Sequence, residues 1–319
     1  MTAPAVALLA VALAGTLAGD AAREGRWSPA APLPTPRTEV AAAVLDGRLY
    51  VVGGFTAEGR ATDLVEVYDL ASGVWQAVRP LPAPRHHVGI AAQGGRLYVI
   101  GGYGPAWEPS ADVFVYDPGT DRWSRAAPLP TARGALGAAV HDGRIHAVGG
   151  VGEGRRNTGA HEVYDPAADR WAPLAPLPTP RDHLAVVAVG QGLVAAGGRL
   201  DGDFGRNLRV TEVYDARRDA WRAAAPMPAP RSGVGGAALL GLAIVLGGES
   251  REGTYADAFA YDPSADRWTV LAPMPTARHG LGVAVHADRL HAVGGGPRPG
   301  LSVTGAHEQF DLGAASGAR

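Results

Sequence analysis

The chain has 319 residues, including 45 Gly and 26 Pro, and a formal net charge of −2. Gly and Pro make up about 22% of it, against roughly 12% in ordinary globular proteins, which excludes a fold built on long helices. Even so, 46% of residues are hydrophobic, so this is not a disordered Gly/Pro sequence. There is no Cys, which excludes disulfides, thiolate metal ligands and thiol nucleophiles. All 29 basic residues are Arg, which excludes lysine Schiff-base and P-loop chemistry. The balanced charge gives no reason to expect nucleic acid.

Residues 1–19 carry no charged side chain. Ala5 to Ala14 is apolar, and the small residues Gly15, Ala18, Gly19 and Ala21 follow. This reads as a secretory signal peptide over residues 1–21, although no basic residue precedes the run. The run is too short and too Ala-rich to predict a stable membrane span. Export to the periplasm or beyond is the expectation; retention in the cytoplasm with Met1 intact is the alternative.

An internal repeat follows. Trp27, Trp75, Trp123, Trp171, Trp221 and Trp268 are separated by 48, 48, 48, 50 and 47 residues. Ten residues after each Trp comes Arg37, Arg85, Arg133, Arg181, Arg231 or Arg278. Sixteen further on a Gly-Gly pair begins, at Gly53, Gly101, Gly149, Gly197, Gly247 and Gly294. Tyr-Asp then recurs at Tyr68, Tyr116, Tyr164, Tyr214 and Tyr261, with Phe310-Asp311 as the sixth.

Each unit predicts four short strands. The first is rich in small residues, as in Val88 to Ala92, and turns at Asp46-Gly47 or Gly94-Gly95. The second is apolar, as in Leu97 to Ile100, and ends at Gly-Gly. The third carries the Tyr and the fourth the Trp, and Pro128 and Pro130 end the fourth. Four strands repeated six times predict an all-β protein, a six-bladed β-propeller with four antiparallel strands per blade. Gly89, Gly137, Gly235 and Gly282, with Ala41 and Ala185, keep the innermost strands thin. Trp27 has no blade before it and the last unit lacks a Trp, so residues 24–30 should pair with residues near 303–311 and close the ring.

The Gly-Gly, Tyr and Trp at these spacings resemble kelch repeats. The resemblance spans roughly residues 24–312 and implies a kelch-type propeller over 22–312, with a short tail at 313–319. It also implies several possible functions, because such propellers serve as binding modules and as enzymes. The copper radical oxidases resembling galactose oxidase need a Tyr cross-linked to a Cys, which this chain lacks. Sialic-acid mutarotases need an acid/base pair; Glu39, Asp182, His183 and Glu249 are candidates, but no motif singles out a pair. Nitrile-specifier proteins bind iron through carboxylates and His, and no matching constellation is present.

Only the spacing from Gly-Gly to Tyr varies between units, so all length differences fall in the loop between strands two and three. Variable loops on one face of a repeat array mark a binding face. That end carries eight loop Arg plus the six repeated ones, against 12 acids. Arg37, Arg85, Arg133, Arg181, Arg231 and Arg278 are therefore candidate ligand contacts at the channel mouth, favouring an anionic glycan or a partner protein. Trp107, outside the repeat, and Tyr103 are candidate stacking residues. His86, His87, His183 and His279 follow the repeated Arg on alternate blades. Three imidazoles suit zinc, but these come from three distant loops without a short local motif, so no metal and no cofactor is assigned. The sequence-level expectation is a monomeric exported binding module, with a carbohydrate isomerase as the alternative.

Overall fold

The computed structural model describes residues 25–313. The signal peptide expected over 1–21 and nearly all of the tail lie outside the described residues.

Six four-stranded antiparallel sheets surround a central axis. In the first blade the strands run Ala41–Leu45, Arg48–Val52, Val65–Asp69 and Val74–Ala77, inner to outer. The next four blades repeat this order. In the sixth, Gly282–His286, Arg289–Val293 and His307–Asp311 are completed by Arg26–Pro29. That strand pairs antiparallel with His307–Asp311, with Trp27 opposite Phe310. The expected ring closure is therefore present. No helix among the described residues is long and apolar enough to cross a membrane.

The repeated residues explain the geometry. The inner strands crowd the axis: a Cβ at Gly137 would run into Val186 of the next blade. Both residues of each Gly-Gly pair have positive φ, as at Gly149 (66°) and Gly150 (104°). This turn lets the second Gly donate its N–H to the repeated Arg carbonyl one blade on, as Gly150 does to Arg181 at 2.9 Å. Each Trp indole donates backwards, Trp75 to Ala31 and Trp123 to Arg79 of the preceding linkers, at 2.8 and 2.9 Å. Apolar clusters fill all six blade interfaces. Between the first two blades, for example, Tyr50, Val67 and Leu81 meet Leu97, Val99 and Phe114.

The longest variable loop contains a hairpin that the four-strand pattern does not predict, Arg199–Leu200 paired with Asp203–Asn207. The Asp201-Gly202 dipeptide at its tip is the local signal for it.

Two blades carry buried imidazole pairs in their middle strands. His146 and His161 sit 2.9 Å apart between ring nitrogens, and His291 and His307 sit 3.0 Å apart. His161 packs edge-on against Tyr214 of the next blade, and His307 against Tyr68. Burial pushes His146 down to about 3, and His161, His291 and His307 to about 4.

Two predictions follow from these contacts. Trp27 donates to Ala272 at 2.8 Å and stacks on Phe310. Trp27→Ala should therefore cost about 2–4 kcal/mol in denaturant unfolding; a midpoint equal to wild type would contradict closure by this strand. The histidine pairs predict acid sensitivity. Unfolded His takes up a proton near pH 6.5, while these stay neutral in the fold until about pH 4. The unfolded state thus binds more protons between those values, and stability falls as pH drops through that window. The loss should be roughly 1–2 kcal/mol per histidine between pH 7 and 5. The double variant His146→Val, His161→Val should flatten the melting temperature against pH.

Candidate functional site

The two residues after each repeated Arg build the floor of the channel mouth. The first of them bridges to the residue after the Gly-Gly pair of its own blade. The pairs are Thr38 with Phe55, His86 with Tyr103, Gly134 with Val151, Asp182 with Arg199, Ser232 with Glu249, and His279 with Gly296. The second has left-handed backbone in every blade: Glu39, His87, Ala135 and His183 at φ 54°, Gly233 at 65° and Gly280 at 57°. The N–H groups of the last five each donate to the carbonyl of the equivalent residue one blade back, at 2.9–3.3 Å. Val40 donates to Gly280 at 3.3 Å and completes the circle. Only Gly takes this conformation without strain, and each of the others costs on the order of 1–3 kcal/mol. Gly280 is obligatory for a second reason: a Cβ there would lie 2.6 Å from Glu39 Oε1.

Above this floor lies a cavity of about 560 Å³. One wall is aromatic, formed by Phe55, Tyr103 and Trp107, and Phe204 from the fourth blade's hairpin also lines the cavity. Trp107 packs on Phe55, Tyr103 and His86 with centroids 4.5–5.5 Å apart, yet remains 41% exposed. Burial raises the Tyr103 hydroxyl well above its ordinary value, so it stays a neutral donor.

The floor is polar and largely buried. Glu39 Oε2 lies 3.2 Å from His87 Nε2, and its Oε1 lies 3.4 Å from His279 Nε2. Glu249 Oε2 approaches the same His279 nitrogen at 3.5 Å. Arg199 donates to Glu249 at 2.7 Å, to Asp182 at 3.3 Å and to His183 Nε2 at 2.7 Å. His183 Nδ1 meets the Asp182 carboxylate. Burial opposes ionisation of Asp182, but the His183 bond and Arg199 outweigh it and hold the acid at about 2. Burial likewise opposes charge on Glu39, and the facing imidazoles more than offset it. Burial lowers His87 well below its usual value and takes His86 to about 4. His279 goes the other way: burial is outweighed by Glu39 and Glu249, and its affinity for a proton rises.

The sequence-predicted residues divide sharply. His87, His183, His279, Tyr103 and Trp107 line the cavity, and His86 sits directly behind it, bonded to His87. The six repeated Arg do not line it. Arg37, Arg133, Arg181 and Arg278 are fully buried and pair with Glu66, Glu162, Glu212 and Glu308 of the third strands. Arg133 also donates to the carbonyls of Gly149, Ala147 and Thr131 at 2.8–2.9 Å, clipping the ends of two strands together. In blades two and five Phe114 and Phe259 replace the Glu. Arg85 and Arg231 turn to Asp112 and Asp257 instead, and Arg231 lies 3.4 Å over the Tyr255 ring.

This corrects the charge of the face. With the repeated Arg and the two Asp that pair with them set aside, eight Arg face ten acids. The excess is negative, so the case for an anionic ligand does not stand on these Arg. Sequence reasoning also did not group the residues following the Gly-Gly pairs, five of which line the cavity. Their signal is a fixed register whose residue type changes in every blade.

A closed ring of six four-stranded repeat blades defines a β-propeller. Family models confirm its class: a KLHDC2/KLHL20/DRC7 Kelch-repeats domain matches residues 22–176, and the Kelch motif matches 180–228 and 230–275. The chain belongs to the kelch-repeat family. A solved structure described as "Structure of YjhT" is similar, with a TM-score of 0.76 at 18% identity, covering 88% of this chain and 96% of that one. At that identity the likeness establishes the fold alone. No curated protein matches the sequence.

The ion pairs make a prediction of their own. Glu162→Ala strands the buried Arg133 guanidinium and should cost about 3–5 kcal/mol in chemical denaturation. A loss below about 1 kcal/mol would mean that the pair is not desolvated as described.

Proposed function

We propose that the protein is a binding propeller that takes a polar, uncharged glycan unit into the cavity at its channel mouth. The observation that carries this is the pairing of an exposed indole face, Trp107, with carboxylate acceptors, Glu39 and Glu249, in one cavity. A sugar ring has an apolar C–H face for the indole and hydroxyl donors for carboxylates. The acidic balance of the face favours a neutral sugar over an acidic one. The apolar leader supports export, so the glycan is sought outside the cytoplasm; N-terminal sequencing of secreted protein tests that part.

One observation favours a second reading, a carbohydrate isomerase. The Glu39 carboxylate lies between two imidazoles beside the cavity, so a proton donor and acceptor stand together. NMR exchange spectroscopy of sugar anomers, with and without protein, reads that activity directly.

Isothermal titration against neutral and acidic mono- and disaccharides tests the binding reading. Trp107→Ala should weaken the best ligand at least about 10-fold, which corresponds to about 1.4 kcal/mol. Arg85→Ala should leave affinity unchanged, because Arg85 pairs with Asp112 away from the cavity. Equal binding by wild type and Trp107→Ala, or no binding across the panel, would overturn it.

A further inference from the structure

The protons on the floor imidazoles can be assigned from their outer partners. His279 Nδ1 faces the Gly296 carbonyl at 3.1 Å, and His183 Nδ1 faces the Asp182 carboxylate. Both partners only accept, so both Nδ1 atoms carry the hydrogen. His86 donates from Nε2 to the Gly104 carbonyl at 3.2 Å. As a neutral ring its Nδ1 must then accept, and the donor is His87 Nδ1. All three floor rings, when neutral, therefore turn an unprotonated Nε2 inward: that of His183 accepts from Arg199, and those of His87 and His279 face the Glu39 and Glu249 carboxylates. At His87 a nitrogen lone pair meets carboxylate lone pairs at 3.2 Å, which is repulsive without a cation between them.

Charge leads to the same place. Asp182 and Glu249 are buried against one guanidinium, that of Arg199, and the neighbouring Glu39 carboxylate faces only imidazoles, those of His87 and His279. Even with a proton on His279 the cluster stays negative. A buried negative cluster is costly unless a cation joins it.

We propose that Glu39, His87 and His183 form a binding site for one divalent transition-metal ion of the zinc class, with a further coordination position open to the cavity. One ligand atom from each of these residues lies within 4.8 Å of the others. Two imidazoles and a carboxylate suit zinc, with iron(II) as the other ion of that donor set. The outer bonds match those of metal-ligating histidines, whose second nitrogen donates to a carboxylate or another acceptor that fixes the tautomer. His86 and Asp182 are the positioning residues in these roles. Arg199 is the competing cation: its Nη2 holds His183 Nε2 at 2.7 Å and must release it when the ion enters, while its bond to Glu249 can persist. The site goes beyond the glycan reading and does not depend on it, because the ion is measured alone.

The test uses tag-free full-length protein freed of metal by chelator dialysis and titrated with zinc chloride. One equivalent should bind, and Glu39→Gln, His87→Asn and His183→Asn should each raise Kd at least 10-fold. Asn is chosen because it tolerates the left-handed backbone at those two positions. Arg199→Met should lower Kd, and the distant double variant His146→Val, His161→Val should leave it unchanged. Absence of stoichiometric binding by wild type, unchanged affinity in the three ligand variants, or loss in the distant variant would overturn the site. Should a ligand variant fail to fold, cobalt(II) added to wild type gives an independent reading. Intense d–d bands of a four- or five-coordinate ion support the site, and an octahedral, aqua-like spectrum overturns it.

Discussion

The circle of backbone hydrogen bonds at the channel mouth is the constraint on which the rest depends. To pass an N–H to its neighbour, each blade must hold one residue in left-handed backbone at the same place, two after its Arg. That conformation brings one position from each of six separate loops to one axis. Two blades meet it with Gly, at no steric cost. Three others keep Glu39, His87 and His183 there, and strain that persists at such positions is characteristic of functional sites. The floor is thus a by-product of closing the ring, loaded with chemistry only where the blades depart from Gly and Ala.

The same division runs through the whole molecule. What every blade shares is structural: the Trp reaching back to the previous linker, the Gly-Gly turn reaching forward, and the Arg holding its own strand ends. What differs between blades at a fixed register is the site. Phe55, Tyr103, Val151, Arg199, Glu249 and Gly296 occupy one equivalent position, yet no two share a chemistry beyond the aromatic pair. Repetition supplies the frame, and variation within it supplies the contacts.

This explains what could be read from the residues alone. The blade count, strand order and closure were legible because each follows from a spacing imposed six times. The imidazoles and Trp107 were legible as departures from that spacing. The Arg were misplaced for a physical reason: a guanidinium at a loop start looks exposed until its partner is known. That partner is Glu66, Glu162, Glu212 or Glu308, about thirty residues on and two before the aromatic residue of the third strand. The Thr two residues before each of these Arg bonds to the same Glu, at 2.7–3.0 Å, and is Ala in the two blades that lack it. The left-handed backbone at Glu39 and the two His left no local trace, because the ring imposes it from outside the segment. The convergence of Glu39 with His87 and His279 was beyond reach without knowing which loops meet.

Glu39 belongs to the first blade and His279 to the last, so the floor straddles the junction where the chain ends meet. An occupant that bridged Glu39 to His279 would therefore act as a latch across that junction. Any ligand bound to the intact floor and not to the parted one adds its binding free energy to the closed state. Occupancy of such a bridging position and integrity of the ring would then be linked in a single equilibrium.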